Sequence, residues 1–396
     1  MRLAHPIVAL GLLTLLHGLV DTFALFLQPL WPALERQLHL NQVDVSVAYV
    51  LWNLSNSASQ LLWGYLGDRY HGRWLLWLGP LAGIVCMSAL GLIGSVWALN
   101  GVLLVGGLGI AAFHPEAAAL AGRLTPAHRS RAMSVFAVGG YLGQAAGPFM
   151  SGEIVAHRGL GGLTWHMGWG LAMLLVLSLG LRSASRIDHH VRRETISFTR
   201  LLAGRVGGVA LLMTVGTLRV VTSVGVPMAL AYLIDSRGGS TAQTGHVQSS
   251  YQLGIGLGSI ICAAIVTARN ERLALWLTPL LSTPLLWWAC AAEGETRIVA
   301  MTLAGTCMGG AFPVLISYGQ QLLPEGPRVA SSLTMGVTWG LGSIVVAGLL
   351  VLFRQWDRPD WAIYTFATGG ALSSLLCFGL PDVTRPVTRP AAASGR

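Results

Sequence analysis

Apolar runs about as long as a bilayer is thick recur along the whole chain. Residues 97–121 read WALNGVLLVGGLGIAAFHPEAAALA, and His114 and Glu116 are the only titratable side chains in them. A helix that crosses the hydrocarbon core needs about 20 mostly apolar residues. Runs of this kind fall at 6–34, 43–67, 74–94, 97–121, 131–155, 161–181, 207–235, 243–267, 273–292, 296–322, 329–352 and 360–380. Their connections are short except for RSASRIDHHVRRETISFTR (182–200), which is polar, charged and central. The pattern predicts an all-α membrane protein of twelve transmembrane helices in two pseudo-repeated six-helix bundles. The N-terminal bundle covers 1–181, a cytoplasmic linker 182–206, the C-terminal bundle 207–381 and a cytoplasmic tail 382–396.

Composition excludes the alternatives. Only 10% of the residues are charged, against about 25% in a soluble domain, which is too few to cover a water-facing surface. The net charge of +9 does not indicate nucleic acid, because the arginines sit in short loops between apolar spans and form no phosphate-binding patch. Cys86, Cys262, Cys290, Cys307 and Cys377 lie singly inside the spans, so neither disulfides nor a zinc motif is expected from spacing. The N-terminal MRLAHPIVALGLLTLLHGLV imitates a secretory signal, but its apolar pattern continues to about Leu34 with no small-residue cleavage site, and it reads as the first span.

Orientation follows from the loops. With the N-terminus in the cytoplasm, 18 arginines fall on that side, six on the other, and Arg219 within a span. The positive-inside rule then puts both termini in the cytoplasm. The halves also resemble each other at an offset of 199: Phe113 falls on Phe312, Arg73 on Arg272, Gly143 on Gly342 and Gln60 on Ser259. Such a parallel repeat is typical of one class of secondary transporters.

The chemistry is concentrated in a few places. His17 and Asp21, four residues apart in HGLVD, share one face of the first helix, with Asp21 near mid-span. GIAAFHPEA (109–117) places His114, Pro115 and Glu116 together in the fourth span. A charged carboxylate inside the bilayer costs about 2.5 kcal/mol or more, so Glu116 faces a cavity, carries a proton or is paired. The plainer alternative is that Glu116 reaches the interface and binds Arg123, Arg129 or Arg131. Pro115 is expected to open the helix locally. Arg219 maps onto Val20 by the repeat offset, so it is expected to face the same cavity as Asp21 and to pair with it. Gln28, Asn53, Gln144, Tyr251 and Gln252 are candidate cavity-lining polar groups, and Trp288 and Trp339 candidate aromatic ones.

GYLGDRYHGR (64–73) resembles the loop signature of the major facilitator superfamily, through Gly64, Asp68, Arg69, Gly72 and Arg73. The resemblance implies a gating latch in which glycines allow close helix approach and Asp68 accepts hydrogen bonds from a helix N-terminus or an arginine. This loop has one extra residue before Gly72, and Trp74 replaces the usual second basic residue. Gly143, Gly147, Pro148 and Gly152 in GGYLGQAAGPFMSG (139–152) are similar to a motif that accompanies proton antiporters in that superfamily. The alternative is a generic small-residue packing face, with Pro148 bending the helix. GLGIA (107–111) matches the end of another superfamily motif, but Leu103 stands where that motif has arginine.

With HGLVD and FHPE together, the chain resembles the fosmidomycin-resistance branch of the superfamily over most of its length. That resemblance implies a proton-driven exporter of a small molecule or drug from the inner (plasma) membrane, acting by alternating access. Asp21, Glu116, His17, His114 and Arg219 are then the candidate proton-coupling and substrate residues. A proton-coupled uptake symporter and a passive facilitator remain alternatives. The expected partners are a small-molecule substrate, protons and membrane lipid, without nucleic acid, and fold analogy implies a monomer. No nucleophile–base pair, GxxxxGK[ST] loop or metal-ligand motif occurs in the sequence, so no enzyme, cofactor or metal is expected.

Overall fold

The computed structural model describes residues 5–70, 74–124, 129–182, 201–267, 270–356 and 358–382, with the side chains of 65, 67–70, 129–130 and 327–328 left aside. Among the described residues the chain is helical throughout, with no strand. The first half holds α1 (Pro6–Ala24), α2 (Trp31–Leu38), α3 (Gln42–Asn53), α4 (Gln60–Tyr70), α5 (Leu75–Ser88), α6 (Val96–Leu124), α7 (Arg129–Arg158) and α8 (Trp165–Leu181). The second half holds α9 (Val206–Ser236), α10 (Thr241–Ile265), α11 (Glu271–Ala291), α12 (Gly294–Gly309), α13 (Ala311–Leu322), α14 (Pro327–Ser332), α15 (Thr338–Gln355) and α16 (Pro359–Leu376).

Local chemistry sets several of the ends. Proline stands in the first turn of α1, α2, α14 and α16, where its missing N–H costs nothing. Asn41 with Asp44, and Ser240 with Gln243, form reciprocal capping boxes at the starts of α3 and α10. The first apolar run, expected over 6–34, divides into α1, a turn-rich 25–30 stretch and α2. Pro115 does not open α6, and Pro148 does not interrupt α7; both helices run through.

Nine helical segments among the described residues are long and apolar enough to cross a membrane. The α3–α4 segment, α7 and α10 are not among the nine. These carry Asn53, Ser55, Asn56 and Gln60, then Gln144, Ser151 and Glu153, then Gln248, Ser249, Gln252 and Ser259. Their polarity has a packing reason, because it is satisfied inside the protein, within each half (Ser55 to the Leu103 carbonyl, Gln144 to Asp21, Ser259 to the Gly309 carbonyl) and between the halves. Ser249 donates to the Ala145 carbonyl at 2.6 Å, and a Cβ at Gly152 would lie 3.0 Å from the Gly245 Cα. Two π-helical turns, Leu54–Ala58 and Leu333–Val337, also meet here, with Gly336 close to the Ser57 carbonyl.

Ion pairs tie the two halves at the end of α9 where Ser236 lies. Glu35 accepts from Arg354 (Nη1 at 3.0 Å) and from the Tyr232 hydroxyl at 3.0 Å. Arg36 contacts Asp235 at 2.6 Å, and Glu153 meets His246 at 2.6 Å. A small pocket of about 10 Å³ lies among Ser46, Tyr49, Met228, Tyr232 and Arg354. The other end of α9 packs on Pro381 and Leu322 instead.

Candidate functional site

The site forms where α1, α6 and α7 meet. Along α1, His17 and Asp21 share the inward face with Leu13, Leu16 and Val20, and Asp21 is only 3% exposed. α7 lies directly against that face because glycines leave its backbone bare. A Cβ added at Gly139, Gly143 or Gly147 would strike the carbonyl of Thr14, Gly18 or Thr22 respectively. This approach lets α7 reach the site with the Phe136 carbonyl and the Gln144 amide. A Cβ at Gly140 would sit 2.5 Å from His17 Cε1 and 3.0 Å from Asp21 Oδ2.

The hydrogen bonds define the protonation chemistry. His17 Nδ1 lies 2.8 Å from the Phe136 carbonyl, and His114 Nδ1 lies 2.8 Å from the Ile110 carbonyl. A carbonyl can only accept, so both Nδ1 atoms carry hydrogen and donate it. Both Nε2 atoms are thereby turned on the carboxylate: His114 Nε2 is 3.0 Å from Asp21 Oδ1, and His17 Nε2 is 3.5 Å from Oδ2. Gln144 Nε2 donates to Oδ2 at 2.9 Å. A close contact between an imidazole lone pair and a carboxylate oxygen needs a shared positive centre. One proton between Asp21 Oδ1 and His114 Nε2 satisfies it, as imidazolium with carboxylate or as imidazole with carboxylic acid. The rings reinforce the arrangement. His17 stacks on Phe136 with centroids 4.0 Å apart, and the His17 and His114 rings meet edge-on at 5.3 Å.

The other candidates lie elsewhere. Glu116, two residues beyond His114, turns away and pairs with Arg123 at 3.2 Å, which is the interface alternative weighed above. Arg219 does not pair with Asp21. It is fully buried and donates to Ser373 Oγ at 3.5 Å, to the Ala311 carbonyl at 3.2 Å, to the Leu275 carbonyl and to Cys377 Sγ at 3.2 Å. It clasps α9, α11, α13 and α16 within the second half. The repeat offset identifies equivalent positions, and equivalent positions need not touch.

Of the gating loop, a Cβ added at Gly64 would lie 3.9 Å from Pro115 Cβ, an ordinary contact distance. The side chains of Asp68 and Arg69, and all of Gly72 and Arg73, lie outside the described residues. Gly143 and Gly147 of the antiporter-like motif face α1, while Pro148 and Gly152 face Gly245 of α10. Gln144, named from sequence only as a polar lining group, proves to be a direct partner of the carboxylate. The Phe136 carbonyl and Gly140 carried no signal in the sequence, because a backbone acceptor and an absent side chain leave no chemical trace. Trp288 is 42% exposed, and Trp339 packs beside Phe312.

Apolar helices long enough to cross a membrane close here around a buried carboxylate and two imidazoles, which defines the class as a multi-pass membrane protein with a polar site among its helices. The chain matches the Major Facilitator Superfamily model over residues 10–347 and belongs to that family. It is 24% identical over 382 residues to the fosmidomycin resistance protein of Escherichia coli (strain K12), covering 94% of this chain and 92% of that protein. It is also 24% identical over 349 residues to the uncharacterized MFS-type transporter YfnC of Bacillus subtilis (strain 168), covering 85% and 84%. Among solved structures, the nucleoside transporter NupG aligns with a TM-score of 0.71 at 13% identity, covering 94% of this chain and all of that one. A POT family transporter in complex with a thioalcohol-conjugated peptide aligns with a TM-score of 0.73 at 15% identity, covering 95% and 96%. The structural likenesses show the fold alone.

Proposed function

We propose that this chain is a proton-coupled antiporter that exports a small molecule or drug across the inner membrane by alternating access. The observation that carries the reading is the 3.0 Å approach of His114 Nε2 to Asp21 Oδ1 while Nδ1 of the same imidazole is engaged by the Ile110 carbonyl, a geometry that calls for a proton between carboxylate and ring. In the cycle, the proton enters from outside, sits on the Asp21–His114 pair, and leaves to the cytoplasm as cargo goes the other way. His17 and Gln144 hold the carboxylate while its charge changes.

In this proposal the twelve helices form two six-helix bundles, with the 182–206 linker and both termini cytoplasmic and the protein a monomer. The bundles rock about the α7–α10 and α3–α15 contacts. The Glu35–Arg354, Arg36–Asp235 and Glu153–His246 pairs then hold the external ends together. Asp68 and the loop arginines latch the opposite side in the alternate state, and Glu116 stays with Arg123.

The kinship with a fosmidomycin resistance protein makes fosmidomycin the first cargo to try. Cells overproducing the chain are expected to tolerate more of the drug, and Asp21→Asn or His114→Gln to remove that tolerance at equal membrane abundance. Tolerance unchanged by either substitution contradicts the site. Uptake of the drug in exchange-free vesicles favours the symporter instead.

A further inference from the structure

We infer that His17, Asp21 and His114 form a binding site for a divalent transition-metal ion of the zinc class. The inference takes the cluster as described above and does not need the proton exchange proposed for it. One ligand atom from each residue lies within 4.8 Å of the other two. Around a tetrahedral zinc with ligand bonds of about 2.0–2.2 Å, neighbouring ligand atoms stand roughly 3.3 Å apart. His114 Nε2 lies 3.0 Å from Asp21 Oδ1 and His17 Nε2 3.5 Å from Asp21 Oδ2, each near that value though to different oxygens, so a small rotation of the carboxylate brings one oxygen, or both, to an ion held between the imidazoles.

The donor set fits as well as the spacing. Two imidazole nitrogens and one carboxylate oxygen are borderline ligands suited to Zn²⁺ and Co²⁺, and they discriminate against the hard, oxygen-seeking Mg²⁺ and Ca²⁺. Metal-bound histidines characteristically donate their second N–H to a carbonyl or carboxylate, which fixes the tautomer and aims the lone pair. Both histidines do this, to Phe136 and Ile110, and the carboxylate is steadied in turn by Gln144. Three protein ligands leave a fourth position open. The His114 side chain, 22% exposed, is the wettest of the three and marks the open side.

Spacing along the chain conceals such a site. His17 and Asp21 lie one turn apart on α1, and the third ligand comes from α6, 93 residues further on. A cation here occupies the place of the shared proton, so under the antiport reading the metal arrests transport.

The test uses the full chain without a histidine tag, purified in detergent. The His157→Gln, His246→Gln background removes the two imidazoles around Glu153, which contact it at 3.2 and 2.6 Å and could bind metal themselves. Co²⁺ is titrated by visible absorption, and Zn²⁺ by competition with a chromophoric chelator. The expected result is one ion per chain with the intense bands of four-coordinate Co²⁺. His17→Asn, Asp21→Asn or His114→Gln should each weaken binding at least about tenfold, the loss that even outer-shell changes produce. Less than one ion per chain, a purely six-coordinate spectrum, or variants binding as tightly as the parent overturns the site. The parent spectrum decides the matter even where a variant fails to fold. Proton flux measured without metal is a separate readout, so failure of either reading leaves the other standing.

Discussion

At the residue scale, the behaviour of Asp21 rests on what its neighbours can donate. Two imidazole Nδ1–H groups are committed to backbone carbonyls, and the Gln144 amide caps one carboxylate oxygen. Gly140 keeps the space beside them empty. Gly140→Ala adds a methyl 2.5 Å from the His17 ring, an overpacking that costs about 1–3 kcal/mol. It is expected to abolish transport while the protein still reaches the membrane, as flux and size-exclusion profiles would report. Arg219 has a different role. Arg219→Ala strands the buried carbonyls of Ala311 and Leu275, each at about 1–3 kcal/mol, and should lower the thermal unfolding midpoint markedly. Because Arg219 and Asp21 share no partner, their effects on stability should add to within about 0.5 kcal/mol; strong coupling in the double mutant would contradict the separation seen here. Helical spacing made the His17–Asp21 face legible in the sequence. The partnership with His114 was not, because it depends on how α1 and α6 cross. Arg219 was misassigned because a buried cation suggests a buried anion, whereas carbonyl oxygens satisfy this one.

At the element scale, hydrophobic length alone located most of the helices. It also located α3–α4, α7 and α10, as the runs 43–67, 131–155 and 243–267, although these carry serines, glutamines and glycines that face other helices. The antiporter-like stretch illustrates how. Gly143 and Gly147 admit the backbone of α1, and Gly152 admits α10, so one helix serves both contacts. Neither proline broke its helix, since residues packed around a membrane helix can sustain it through a lost hydrogen bond. The ion pairs between α2, α9 and α15 yield a further prediction. Glu35→Gln removes the charge that Arg354 and Tyr232 both hold, and a charge-assisted bond contributes about 1.5–3 kcal/mol. Labelling of a Ser46→Cys reporter in the adjoining cavity should therefore accelerate about tenfold or more. An unchanged rate would show that these pairs do not hold that end closed.

At the scale of the whole molecule, family membership and helical architecture were legible from composition, the lengths of the apolar runs, the GYLGDRYHGR loop and the FHPE and HGLVD stretches. The cargo was not, because buried or half-buried groups such as Gln28, Gln248 and Tyr251 are ordinary polar residues whose meaning depends on three-dimensional placement. Gln248, for example, joins the halves by donating to the Gln28 and Pro227 carbonyls at 3.3 and 3.0 Å. The central claim is that one proton, held between Asp21 and His114, exchanges for cargo. Its most direct test is internal pH in proteoliposomes bearing the purified chain, followed as fosmidomycin is added down its gradient. The account predicts a cargo-driven proton movement opposite to the drug, lost in Asp21→Asn and in His114→Gln. Drug flux without proton movement, or proton movement that survives both substitutions, would contradict it.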